Sequence, residues 1–523
     1  MNTFLMHRNS DFDLQQALPW NEQALTQDLE LTTLWSAMSS GDEFLFDVAR
    51  KAVLTGVNND IDTILYRQNV LSDCMNNPSV IKSLYGIAVD AIAHKKKPYW
   101  GIFSFNYPSS ILSTSVEVMQ MFVDNLKKIR AIADENAGNF KSEGFTALFA
   151  MLKKELDDEY FGRVQQHLHE LNFPDGILLS AELGKGNKAT NYILHKLFVK
   201  KKTWLQWLMA GISSISAVFG DKVQRWIKRI FKIPEDNYTF EISSHDEGGI
   251  RALSELKNKG INLVANALAQ SNDHILGFLT MMQTELAFYI GCLNLQQQLV
   301  SQGETVSFPV PMPSGEYKHA FKGLYDVCLS LTMKQKITGN DVNADHKNLV
   351  IITGANRGGK TTFLRSIGLS QLMMQCGMFV AADSFSANIC DSLITHYRRE
   401  EDTTMQSGKL DEEFSRMSGI AEHITSDTML LFNESFAATN EREGSEIARQ
   451  IVSALLEKRI KIFFVTHLYE FAHSFYVKGM GNAIFLRAER GDETIRTFKL
   501  AEGEPLQTSF GEDLYNKIFT NTD

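Results

Sequence analysis

Cysteine is sparse in this 523-residue chain, and no two cysteines form a C-x-x-C pair. Cys74, Cys292, Cys328, Cys376 and Cys390 are scattered, which gives no zinc site and suits reduced thiols in a cytoplasm. The first residues, from Met1 to Arg8, lack the long apolar core of a signal peptide. There is no short-period internal repeat and no low-complexity tract. Positive charge is not in excess: the formal net charge is −10, which argues against a uniformly basic nucleic-acid binder but leaves room for a local basic groove. The remaining composition, 44% hydrophobic and 22% charged, is ordinary for a soluble globular protein, and the length suits two to four domains.

What is present is a phosphate-binding loop. Gly354 to Thr361 fits G-x-x-x-x-G-K-[ST]. The β-branched run from Asn348 to Thr353 reads as a buried parallel strand before it, and Thr362 to Gln375 reads as the helix after it. Glycines let backbone N–H groups approach a polyphosphate, and the helix points its positive end at the same anion. Ala355, Asn356, Arg357, Gly358, Gly359 and Thr362 would surround the phosphates. Lys360 would reach the β- and γ-phosphates of ATP, and the Thr361 hydroxyl would take one Mg²⁺ position. A glycine-rich turn without a ligand is the competing reading.

Residues 1 to about 330 read as mostly helical, with apolar residues recurring at three and four. Ile111 to Ala133 and Phe145 to Leu171 read as long helices. A breaker over 172–176 precedes an expected strand over 177–183 and a turn over 181–187. Ile250 to Leu299 reads as two helices broken near Ser271-Asn272-Asp273. Pro309, Pro311 and Pro313 mark a linker near 303–315. Between 185 and 232 the chain is basic and aromatic. Lys200, Lys201, Lys202, Arg225, Lys228 and Arg229 are its candidate DNA contacts, interleaved with Trp204, Trp207 and Trp226. A solvated basic hairpin and an amphipathic membrane-surface helix are the other two readings of that stretch.

From Leu324 the pattern becomes α/β, with apolar strands ending at Asn433-Glu434 and at Thr466-His467, and a closing pair over 483–486 and 494–500. Strand ends in such a sheet collect where ligands bind. Glu434 stands where a carboxylate would orient or deprotonate the attacking water. Asn433 precedes it where an Asp commonly holds Mg²⁺ through water. His467 is placed to contact the γ-phosphate. Ser407-Gly408, opening a helix, is another anion site.

The order of phosphate loop, Ser-Gly, strand ending in Glu and strand ending in His resembles the ABC-type ATPases, and within them the MutS family of DNA mismatch-repair ATPases. Gly354 to Arg365 is similar to G-P-N-M-G-G-K-S-T-x-x-R, and Cys376 to Ala382 to G-x-[FY]-V-P-A. Asn433 to Asn440 stands in the place of D-E-x-G-R-G-T-S, and Thr466 to Phe471 resembles T-H-x-x-E-L. Ile337 to Val342, including Asn340, resembles the segment that packs on the adenine. Asp62 to Gln68 fits the family's helical core.

The resemblance implies an α plus α/β fold: a long-helix core and lever region followed by an ABC-type P-loop ATPase domain. The expected boundaries are 1–100 for the first part of the core, 101–315 for levers and a clamp-like region, and 316–523 for the ATPase. It implies a cytoplasmic, ATP- and Mg²⁺-using homodimer with composite sites. Glu434 and His467 would be catalytic, Thr361 and Asn433 would hold Mg²⁺, and Ser407 and Gly408 would reach the partner's ATP. DNA would be the partner, whether duplex, mismatched or branched. Residues 1–60 leave no room for the family's mismatch-reading domain, so a form lacking it is expected. Two alternatives stay open: a nucleotide-gated dimerisation module with negligible hydrolysis, and a membrane-associated ABC-like factor.

Overall fold

A computed structural model describes residues 1–96, 108–171, 178–183, 189–195, 247–354, 358–399, 408–488 and 497–505. They mix helix and sheet. The chain divides into two compact units, one comprising Met1–Val89, Ile129–Lys154 and Phe278–Asp523, the other Asp90–Lys128 and Glu155–Gly277.

The second unit holds a hairpin in which β1 (Leu178–Leu183) pairs antiparallel with β2 (Ala189–His195). The strand expected over 177–183 is therefore present, with a partner that the basic composition of 185–232 concealed. Two expectations about helices are corrected. Glu247–Ser301 is one helix of 55 residues rather than two. Ser271 turns its hydroxyl back onto the Ala267 carbonyl at 3.0 Å, and Asn272 donates its amide to the Ser115 carbonyl at 2.9 Å. The Ser271 hydroxyl shares the i−4 carbonyl with its own backbone amide and Asn272 bonds outside the helix, so the helix continues through the polar triplet. Conversely, 145–171 is two helices, Glu143–Glu155 and Asp158–Leu171. Asp157 accepts from the Tyr160 amide at 2.6 Å and starts the second.

The first unit begins with short helices over Glu22–Asp28, Leu31–Ser39, Glu43–Thr55 and Ile61–Asn76. Asp42 and Asp60 cap the last two through the amides of Leu45 and Thr63. Two sheets come after them in the chain. One has β3 (Val310–Met312), β7 (Ser384–Asn388), β4 (His319–Leu324) and β5 (Asn340–Asn343) in that spatial order. The proline-rich 303–315 segment is thus not a free linker: β3 is an edge strand, where Pro311 costs no shared ladder bond. The other sheet runs β12 (Leu500–Glu502), β11 (Ala483–Ala488), β6 (Leu349–Thr353), β10 (Lys461–Val465), β9 (Thr428–Asn433), β8 (Ser392–Tyr397). All its pairs are parallel except β11 with β12. Every residue of β6 and β10 is buried, as the apolar runs 349–352 and 462–465 require in a sheet covered on both faces, and the buried Lys461 donates to the Lys318 carbonyl and Asn388 Oδ1. The closing strand starts at Leu500, and 494–496 lie outside the described residues.

Helix Lys360–Gln375 leaves β6 and is buried along almost its whole length. Its far end is tied to the N-terminal helices. Gln375 donates to the carbonyls of Val57 and Cys390, both at 2.9 Å, and its own carbonyl accepts from Asn59. Arg67, fully buried, donates to the carbonyls of Met6 at 2.8 Å and Cys376 at 3.3 Å. The N-terminal strap is held by the same cluster: Glu285 accepts from the amides of Leu5 and Phe12, and Tyr289 and Tyr66 donate to the carbonyls of Leu5 and Phe4. Burial pushes the Glu285 carboxyl up to about 7. Val264–Ser301 is long and apolar enough to cross a membrane, but 72% of its most apolar window is buried inside the protein, which marks a core helix. All five cysteines are free and buried.

Gly377 comes directly after this helix with φ +83°, and a Cβ there would lie 2.4 Å from the Arg67 Cβ. Both the left-handed backbone and the close approach require glycine. Gly377→Ala is expected to cost about 2 kcal/mol or more of stability, read as a lowered urea midpoint. An unchanged midpoint would show that the Arg67 junction yields freely.

Candidate nucleotide-binding site

Strands β8, β9, β10 and β6 are parallel and in register at their ends: Tyr397 pairs with Asn433, Asn433 with Val465 and Val465 with Ile352. The residues just past each strand therefore reach one edge, where an open α/β sheet binds ligands. The edge receives Gly354, Arg398, Glu434 and His467.

Gly359 caps the phosphate-loop helix with φ +89°, and Gly354 has φ +120°. Ala355, Asn356 and Arg357 lie outside the described residues, while Gly358, Gly359 and Thr362 line the described part of the loop. Lys360 is buried, and its ammonium donates to the Gly354 carbonyl at 2.8 Å and lies 4.0 Å from Glu434 Oε1. Burial lowers its pKa from the ordinary lysine value, and the Glu434 carboxylate opposes that. Thr361 Oγ1 donates to Asn433 Oδ1 at 3.0 Å.

Glu434 has a left-handed backbone, φ +53°, and its amide donates to the Val465 carbonyl at 2.9 Å. Its Oε2 lies 2.5 Å from His467 Nδ1 and accepts from the His467 amide at 3.2 Å. The hydrogen bond to Glu434 raises the His467 pKa above its ordinary value; burial and the charges of Arg398 and Lys360 oppose the rise. Glu434 is thus suspended between an ammonium and an imidazole at the end of β9.

Mg²⁺ takes hard oxygen ligands and keeps several waters. Thr361 Oγ1 and Asn433 Oδ1 are neutral oxygens close enough to share such an ion, and they fit a site whose charge comes from phosphate. Among the described residues no group of three or more His, Cys, Asp or Glu side chains is arranged to hold a metal.

Gly408 caps helix Lys409–Ala421 with no side-chain cap, and Ser407 lies outside the described residues. The Ile337 amide donates to Glu304 at 2.7 Å. Asn340 uses its side chain on the chain opposite: it donates to the Phe498 carbonyl at 3.3 Å and accepts from the Leu500 amide at 2.8 Å. Lys200, Lys201, Lys202, Arg225, Lys228 and Arg229 lie outside the described residues.

Three residues at this edge escape the sequence reading. Arg398 is exposed one residue beyond β8, where the short strand Ser392–Tyr397 ends. Phe498 is half exposed with φ +55°, its ring packed near Gly359. Glu413, on helix Lys409–Ala421, is buried and accepts from the Phe436 amide at 2.7 Å. No local pattern announces the last two.

Two families match this chain: the MutS2 N-terminal domain over residues 59–302 and MutS domain V over residues 350–519. The chain belongs to the MutS family. Among MutS proteins, the DNA mismatch repair protein MutS of Leptospira interrogans is 32% identical over 181 residues, covering 34% of this chain and 21% of that protein. The one from Thermotoga maritima is 30% identical over 171 residues, covering 32% and 22%. MutS protein homolog 4 of Mus musculus is 25% identical over 204 residues, covering 36% and 21%. The chain thus spans about a fifth of the length of these relatives.

The Glu434–His467 pair sets a sign for pH. A His467 pKa raised in the folded state means that the stabilisation from its charged form is fully present below the ordinary histidine value and is lost as pH rises through the raised value. Followed by NMR of the ring, His467 is expected to titrate above its ordinary 6.5, and Glu434→Gln to bring it down. Equal titration in both proteins would remove Glu434 as its partner.

Proposed function

We propose that this MutS-family chain binds and hydrolyses ATP with Mg²⁺ and works as a homodimer in the cytoplasm, acting on DNA. The observation that carries the reading is the Glu434 carboxylate held between Lys360 and His467 at the end of β9, beside the phosphate loop. Lys360 would exchange the Gly354 carbonyl for β- and γ-phosphate oxygens, while amides from Ala355 to Gly359 cradle them. Thr361 and Asn433 would hold Mg²⁺, Asn433 through water. The ion would supply charge for the phosphates. Glu434 would orient and deprotonate the attacking water, and His467 would sense the γ-phosphate. Ser407 and Gly408 would face the partner's ATP. The base would lie along Ile337 and Asn340, where Phe498 offers an aromatic face. Lever helices and the basic 185–232 stretch would couple closure to duplex, mismatched or branched DNA.

One observation favours a second reading. The metal-side pair of Thr361 and Asn433 carries no charge. A site that binds ATP weakly through its metal and turns over slowly would make dimerisation, not hydrolysis, the output.

Steady-state turnover across protein concentration, with and without branched or mismatched DNA, separates these readings. Glu434→Gln is expected to keep ATP binding and lose about 10²-fold or more in kcat. Lys360→Ala is expected to lose ATP binding. Wild-type turnover in the first variant, or unchanged ATP affinity in the second, would remove the assignment. Turnover near background with ATP-dependent dimerisation would select the gated module.

A further inference from the structure

The turn that carries Glu434 is held in an unfavourable shape. Both Glu434 (φ +53°) and Phe436 (φ +62°) are left-handed, a region that side-chain-bearing residues avoid. Such a conformation persists only where the surroundings over-determine it. Here every residue of the turn is bonded. The Asn433 carbonyl accepts from the Arg398 amide at 2.9 Å, and the Glu434 amide donates to Val465 at 2.9 Å. Ser435 Oγ lies 2.7 Å from His396 Nδ1. The Phe436 amide donates to Glu413 Oε2 at 2.7 Å.

Three of these partners belong to the sheet itself or to the residue just past a strand. Glu413 is different, because it comes from helix Lys409–Ala421, which is not part of the sheet. It is 2% exposed and Phe436 is 0% exposed, so no water stands by to replace it. The His396 ring joins the same helix, with Nε2 3.2 Å from the Glu413 carbonyl, and stacks on Phe436 at 5.3 Å. On the other side the Phe436 carbonyl is pressed against Gly444, where a Cβ would lie 2.4 Å away. Without Glu413 the Phe436 amide would be buried without an acceptor, a state that proteins avoid by rearranging.

We propose that Glu413 is a positioning residue for Glu434: its buried carboxylate pins the far end of the turn and so fixes where the Glu434 carboxylate stands relative to Lys360 and His467. This inference rests on Glu434 being the group that acts on water, and it adds the element that places it.

The test uses the full-length chain and two readouts, the NMR titration of the His467 ring and ATP turnover. Glu413→Gln keeps an acceptor of the same length and is expected to preserve the His467 titration and kcat within about threefold. Glu413→Ala is expected to return the His467 titration toward its ordinary value and to lower kcat about tenfold or more, with KM for ATP changed less than about threefold, because a buried amide has lost its acceptor. Glu413→Asp keeps a carboxylate but falls short by one methylene, and it carries the same expectation should the alanine variant not fold. An unchanged His467 titration in the alanine or aspartate variant overturns the proposal. So does equal loss in the glutamine variant, which would mark a need for the charge rather than for the clamp. If the titration moves as expected but the wild-type protein turns over no ATP, the positioning stands and the hydrolytic reading falls.

Discussion

Helix Lys360–Gln375 is the constraint on which the rest of the first unit depends. Thirteen of its sixteen residues are buried, so it cannot shift without disturbing β6, β9 and β10 on one side and the N-terminal helices on the other. Several of its buried polar residues are tied to partners. Gln371 and Gln375 bond each other and the Asn388 and Cys390 carbonyls, and Arg365 pairs with Asp326 and Glu30. Leaving such a group buried without its partner is costly, so these bonds fix the helix in rotation as well as position. One end presents the phosphate loop, and the other meets Arg67.

Charge at the strand-end edge is arranged in a row rather than as pairs. Lys360 is buried and bonded to a carbonyl, Glu434 stands between it and His467, and Arg398 lies outside at the end of β8. The net balance is positive before any phosphate arrives, which suits an anion. Asn433 keeps the metal side neutral. An acidic residue there would draw Lys360 or Arg398 toward itself and change the field at Glu434.

The parts of this arrangement that were legible in the sequence are those written locally. Residues 349–352, 429–432 and 462–465 are unbroken apolar runs, the pattern of a strand buried on both faces. The loop and the residues ending each strand then place themselves, since parallel strands share one edge. What was not legible depends on contacts distant in sequence. Glu413 reads as one acid among several in Leu410-Asp411-Glu412-Glu413. Ser271 to Asp273 reads as a break because the bond from Asn272 to Ser115 joins positions 157 apart. The prolines around β3 read as a linker because edge position is a property of the sheet. The trans position of Ser407 and the basic stretch from Lys200 to Arg229 lie outside the described residues.

The junction at the far end of the phosphate-loop helix also carries a built-in reporter. Cys376 ends that helix, Cys74 lies in the helix that bears Arg67, and Cys292 lies in the long helix that bears Glu285. The three are near enough for the ionisation of Cys376 or Cys74 to disfavour that of Cys292. Burial pushes all three thiols up, Cys376 to about 12, so at neutral pH they are protonated and shielded from electrophiles. An alkylating reagent reaches them only while the packed helices part. The rate of thiol modification is therefore a clock for the opening of this junction, set by the protein's own chemistry and needing no added label.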